Sequence, residues 1–279
     1  MSTCPEPIEA DTDPNSSFGC LTFEPAEVYH AKSGEFLSSH LLADFRKCPL
    51  LYHRKRCGLV PSEDRPAYLM GRAAHTVILE GMEAFQSSFA VGGPVNPKTG
   101  LPYGSSTKAW AEWAEAQNKD VLTNDQYGLV MQMANGVQVN ALARELLSHG
   151  VPEGVVRAEY SGVACQIRMD WLDPHQGIVD LKTCDDLTWF EADARRYCYI
   201  HQLAFYRAVL AQVIGVPMPV HLIAVEKKEP FRCGVWRVGP DALAATQREN
   251  EAAIQRLQRC AALNQWPTGY EECRFLDCL

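Results

Sequence analysis

No run in this 279-residue chain reaches the roughly 18 consecutive apolar residues of a membrane-spanning helix. A membrane protein is therefore not expected. The first residues, MSTCPEPIEADTDPNSS, lack the basic and apolar blocks of a secretory signal, so a cytoplasmic location is expected. Eleven cysteines are present but no Cys-x-x-Cys pair, so a zinc ribbon is not supported. In a reducing compartment these thiols read as small apolar residues. Cationic excess is also missing. The net charge of −8 argues against a broad basic surface for nucleic acid, though not against a local basic channel. There is no internal repeat. What the chain has in quantity is apolar residues, 47% of the total, enough for a substantial core.

Residues 1–27 read as a loose acidic tail rich in Pro, Ser, Asp and Glu. Residues 28–279 read as a single domain with a helical part over 28–150 and a mixed α/β core over 151–272. Ser38 caps a helix running to Lys47, with Leu41, Leu42 and Phe45 at helical spacing. Tyr68 to Glu80 is a second helix containing Gly71 and His75. Residues 86–107 read as a long loop, which in a compact domain points to function or mobility. Lys108 to Gln117 and Asn124 to His149 are expected helices. Strands are expected over Val155–Ser161, Val163–Leu172 and Gly177–Thr183. A long helix, Trp189–Ile214, follows. Pro219–Lys227 and Phe231–Val238 read as two more strands, and Pro240–Leu263 as the last helix.

The organising stretch is the expected hairpin around Asp-Pro-His-Gln-Gly, residues 173–177. Asp170 sits near the end of its first arm, and Asp180 and Lys182 near the end of its second. Side chains two apart on a strand share a face, so Asp180 and Lys182 point together while Leu181 turns into the core. Two carboxylates beside an amine suit a hard divalent cation with an attacking water. Gln202 and Tyr206, four apart on the long helix, share one face. A lone His such as His75 is more often structural than a ligand. Arg46, Lys47, His53, Arg54, Lys55 and Arg56 form the densest positive stretch. It reads either as a solvated helix face or as a phosphate contact.

Taken in chain order, Gly71-x-x-x-His75, Glu159, Asp170, Asp180-x-Lys182 and Gln202-x-x-x-Tyr206 resemble the PD-(D/E)xK nuclease superfamily. Within it they are most similar to the RecB-like group. Tyr29-His-Ala and the segment from Ser38 to Pro49 resemble the RecE type, the exonuclease VIII-like enzymes. The resemblance spans residues 28–272. It departs from the family pattern at Met169, which precedes Asp170 in place of a Pro-Asp start, and at Asp180, where many relatives carry Glu.

The resemblance implies a restriction-endonuclease-like α/β fold and a Mg²⁺-dependent exodeoxyribonuclease, with Mn²⁺ as a substitute. Asp170, Asp180, His75 and the Leu181 carbonyl would hold the metal, and Glu159 would assist with a second ion. Lys182 would orient or deprotonate the attacking water. Gln202 and Tyr206 would hold the DNA backbone or position Lys182. Arg46, Lys47 and Arg54 are candidates for gripping a 5′-phosphate. The implied substrate is linear double-stranded DNA, degraded 5′-to-3′ to mononucleotides, with the remaining 3′ strand passed to a single-strand annealing protein. A homo-oligomeric ring is implied as well, and would confine positive charge to its channel.

Two rival readings stand beside this one. A CRISPR-associated type of single-strand nuclease would hold an iron–sulfur cluster on Cys48, Cys260, Cys273 and Cys278. The spacing of the late cysteines argues against such a cluster. The other rival is a non-catalytic module that binds DNA ends on a nuclease fold.

Overall fold

In the computed structural model, residues 21–60 and 66–275 are described. The described residues begin with α1 (Ala26–Ala31), a 3-10 turn (Lys32–Gly34), α2 (Ser39–Lys47), α3 (Pro49–Arg56) and α4 (Pro66–His75). A π-helical turn, Thr76–Glu80, leads into α5 (Gly81–Ser88) and β1 (Phe89–Val91). Then come α6 (Lys108–Ala116), β2 (Asp120–Leu122), α7 (Asn124–Val139) and α8 (Ala141–Leu146). The core follows with β3 (Val151–Tyr160), β4 (Val163–Asp173), β5 (Gly177–Cys184), α9 (Phe190–Arg196) and α10 (Tyr199–Ile214). β6 (Val220–Glu226), β7 (Cys233–Arg237) and α11 (Pro240–Leu263) complete it. Among the described residues no helix is long and apolar enough to cross a membrane.

The five core strands lie in the order β3-β4-β5-β6-β7, with β5–β6 parallel and the other pairs antiparallel. The mixed α/β class is as expected. Alternation along each strand feeds two cores. Ile178, Leu222 and Ala224 join α10 and α11 on one face. Val179, Leu181, Ile223 and Val225 join α4 and α7 on the other. Asp180 and Lys182 share parity with Ile178, so they project toward the α10 side. The hairpin turn is closed by Asp173, whose Oδ1 accepts the backbone N–H groups of His175 and Gln176 at 2.7 and 2.8 Å.

Several elements differ from the expectation. The part of the expected tail within the described residues is built into the domain. Thr22 bridges Val155, Glu24 pairs with Arg157 and Lys32, and α1 starts at Ala26. Part of the expected loop forms β1, which pairs in parallel with β2. The helix expected over 124–149 breaks at Asn140. There the side-chain oxygen caps α8 by accepting from Ala143 N, and the amide donates to Cys233 O. The long helix expected from Trp189 divides at Tyr197-Cys198 into α9 and α10. Ser38 and Cys48 cap α2 and α3 through Oγ and Sγ, and Pro49 at the first position of α3 fits the start of a helix.

At the end of β6 the buried Glu226 accepts from Leu187 N, Arg232 N and the Arg232 guanidinium. Those Arg232 bonds outweigh burial and hold its carboxyl below the usual carboxylate range. A lowered acid value means that the stabilisation is complete above the ordinary range and is lost as pH falls through the lowered value. Glu226→Ala should cost about 2–4 kcal/mol, since it strands buried donors. Urea denaturation at pH 7.5 should read this loss, and the gap to wild type should narrow in acid.

Candidate metal centre

The strands position the site by register. β4 and β5 pair at Leu172↔Ile178 and Trp171↔Val179, and the ladder stops short of Asp170 and Asp180. The Asp170 carboxylate fills that gap, accepting the Leu181 N–H at 2.8 Å through Oδ2. The same oxygen stands 3.6 Å from His75 Nδ1 at the end of α4. The backbone at Leu181 also hydrogen-bonds the imidazole. Asp180 is 0% exposed, and neither of its oxygens has a hydrogen-bond partner of proper geometry. Lys182 Nζ lies 2.6 Å from Asp180 Oδ2 as an ion pair. Asp170, Lys182 and His75 open onto one cavity of about 1930 Å³, with Asp180 directly behind them.

The charges are set by burial first. Burial lifts Asp180 to about 6, with Asp170 adding to the rise and Lys182 opposing it. Burial raises Asp170 too, again against Lys182 and the Leu181 N–H. His75 is pushed down to about 4 by burial and by Lys182, so its imidazole is neutral near pH 7 and free to ligate. Burial alone would lower Lys182, but Asp180 and Asp170 outweigh it and raise its value, so Lys182 is an ammonium. Lys182 thus presents a positive charge to the cavity.

The burial of Asp180 is the observation that tests fit to a cation. Its oxygens make no hydrogen bond to backbone or to a neutral side chain, and the charge that meets them is the Lys182 ammonium, so this is a carboxylate held against positive charge. Asp170, Asp180, the neutral His75 and the Leu181 carbonyl match the donor chemistry of Mg²⁺ or Mn²⁺. Among the described residues, no three His, Cys, Asp or Glu side chains are already drawn to a common point. Lys182 stands against Asp180 in this arrangement.

Glu159 is not part of the cluster. It is exposed, pairs with Ala164 beside the β3–β4 turn, and does not line the cavity. The acid that β3 sets beside Asp170 is Glu153, which lines the cavity. Flanking pairs Pro152↔Trp171 and Gly154↔Met169 put Glu153 opposite Asp170. Six residues of strand, about 20 Å, separate the two glutamates. Glu153 lies 3.0 Å from Arg168 Nε, yet burial and Asp170 push its carboxyl up to about 8. Glu153→Gln should lower metal-dependent turnover at least tenfold, whereas Glu159→Gln should leave it within twofold. Steady-state rates on one substrate would separate them, and the reverse order would restore Glu159 to the site.

Gln202 and Tyr206 both line the cavity, and Gln202 Nε2 donates to Tyr206 Oη at 2.9 Å. Neither hydrogen-bonds Lys182. The ring beside that ammonium is Tyr199, with its centroid 5.0 Å from Nζ. Tyr199 lies one helical turn before Gln202, the spacing that could have found it. Of the three cations expected to grip a phosphate, only Arg46 faces the cavity, donating to Asn250 Oδ1 at 2.7 Å. Lys47 and Arg54 are exposed and do not line it. Nearby, Lys55 pairs with Asp44, and Arg56 donates to the Ser33 and Gly34 carbonyls. Among the cysteines weighed for a cluster, Cys48 is half-buried, Cys260 buried and Cys273 exposed, while Cys278 lies outside the described residues.

Residues 38–278 match the model of a family described as "PDDEXK-like domain of unknown function (DUF3799)". No curated protein matches the sequence. Among solved structures, the chain is similar to one from Eubacterium rectale described as "Putative exonuclease". The TM-score is 0.67 at 17% identity, over 92% of this chain and 96% of that one. At that identity the likeness speaks for the fold.

Proposed function

Because this chain belongs to the PDDEXK-like domain family, we propose that it is a divalent-metal-dependent nuclease, and more narrowly an exodeoxyribonuclease acting at the ends of linear double-stranded DNA. The observation that carries the reading is Asp180, a fully buried carboxylate paired with the Lys182 ammonium just behind a cleft that Asp170, Lys182 and His75 line. Asp170, Asp180, His75 and the Leu181 carbonyl would hold the cation, with Glu153 beside them. A bound Mg²⁺ or Mn²⁺ would stabilise negative charge on the reacting oxygens of a phosphodiester. Lys182 donates to water or to a non-bridging phosphate oxygen. Tyr206 and Gln202, bonded to each other, wall the α10 side of the cleft. Arg46 offers a cation farther along the same cavity.

The finer reading follows the RecE-like order of motifs: 5′-to-3′ degradation to mononucleotides, a ring of identical subunits, and a single-strand annealing protein as the recipient of the 3′ strand. Linear duplex labelled separately at each 5′ and 3′ end tests it. Label should leave the 5′ end first in Mg²⁺, and nothing should leave in EDTA. Metal-dependent release from the 3′ end would overturn the polarity. An absence of release from any end would overturn the exonuclease.

A further inference from the structure

The turn between α9 and α10 carries an aromatic stack at the edge of the same cavity. The rings of Tyr197 and Tyr199 lie 5.8 Å apart at an interplanar angle of 29°. Residues two apart on a helix do not face each other. Here Cys198 between them takes φ 59°, a left-handed conformation that L residues rarely adopt, and the two rings come to the same side. Tyr199 is the inner ring, its centroid 5.0 Å from Lys182 Nζ. Tyr197 is the outer ring, 56% exposed, and both line the cavity. The Arg196 guanidinium lies 5.4 Å from the Tyr197 centroid and has no ion-pair partner among the described residues.

We infer that Tyr197 and Tyr199 form a stacking platform for an unpaired nucleobase of the strand whose phosphate reaches Lys182. The inference rests on the nuclease reading and narrows its substrate to a single-stranded or frayed end. A base inside a duplex has both faces covered and a terminal pair has only its outer face free, whereas an unpaired base offers either face to an exposed ring. Stacking on an aromatic tolerates any base, because each has a π-face. Successive nucleotides rise by about 3.4 Å when stacked, so a base on Tyr197 belongs to a nucleotide within a few positions of the phosphate at Lys182. Arg196 supplies a planar cation that can stack with the base or turn to its phosphate. The tyrosine hydroxyls have no part in this, so phenylalanine should replace Tyr197.

The test is fluorescence anisotropy in EDTA, where cleavage is blocked. The probes are two single-stranded oligodeoxynucleotides of equal length, one carrying all its bases and one abasic along its terminal tract. Wild type should bind the complete strand about tenfold tighter. Tyr197→Phe should keep that ratio. Tyr197→Ala should bring it close to one, and Tyr197→Leu, apolar but without a π-face, should do the same. Circular dichroism confirms that each variant is folded. Equal affinity of wild type for both strands, a ratio that survives in Tyr197→Ala, or no binding of either strand would each overturn the platform. Cleavage of end-labelled duplex in Mg²⁺ is scored separately. Cleavage without a base preference defeats the platform alone, and a base preference without cleavage defeats the nuclease reading alone.

Discussion

Asp180→Asn should fold, be no less stable than wild type in EDTA, and lose its metal-dependent activity by about 10³-fold or more. The first part follows from the sign of the Asp180 shift. Its carboxyl rises to about 6 on folding, through burial and Asp170, so the folded state disfavours the charge. Ionised Asp180 therefore destabilises the fold at pH 7–8, and a neutral isostere removes that cost. The loss of attraction to Lys182 offsets part of the gain, and Lys182 retains Asp170 as a counter-charge. Mn²⁺ at about a hundred times its dissociation constant should stabilise wild type by about 2.7 kcal/mol, or roughly 5–10 °C in Tm. Asp180→Asn should show almost none of that rise. A variant less stable than wild type in EDTA, yet still raised by Mn²⁺, would show Asp180 to be a structural residue.

Lys182→Met should behave in the opposite sense. It leaves Asp170 and Asp180 buried together with no ammonium between them. Removing one partner from a buried ionic cluster costs about 3–5 kcal/mol. At pH 8 in EDTA the melting temperature should fall by roughly 10 °C. Mn²⁺ should recover most of that loss, because a cation can take over the counter-charge. Activity should stay low even when stability is restored, since the donor to water and phosphate is gone. Scanning calorimetry of the two variants with and without Mn²⁺ gives the contrast in one set of runs. If Lys182→Met melts like wild type in EDTA, the ammonium does not compensate the buried acids.

The contrast also shows why some of this site was legible from residues alone. The hairpin holding Asp170, Asp180 and Lys182 has period-two alternation and a Pro/Gly turn, both local signals. Leu181 pointed inward for the same reason, and it is fully buried. The α10 pair, Gln202 and Tyr206, needed only helical spacing. Glu153 was hidden because it takes φ 59° in a strand that begins earlier than its apolar run suggests. Only the register with β4 sets it opposite Asp170. The breaks at Asn140 and Cys198 are equally non-local. Asn140 answers to a carbonyl 93 residues away, and the chain at Cys198 is held beside Arg46. The three-residue strands β1 and β2 have too few residues for a pattern, and each depends on a partner some thirty positions distant. Lys47 and Arg54 lie off the cavity, because charge density along the chain says nothing about which side of α2 and α3 meets it.

The most direct measurement is a crystal of the wild-type protein soaked in Mn²⁺, with data collected for anomalous scattering. A Mn²⁺ peak should lie about 2.0–2.3 Å from an oxygen of Asp170, an oxygen of Asp180 and the Leu181 carbonyl, with Lys182 moved away from Asp180. An ordered soak that leaves the Lys182–Asp180 pair intact and shows no peak in the cleft would contradict a metal centre there.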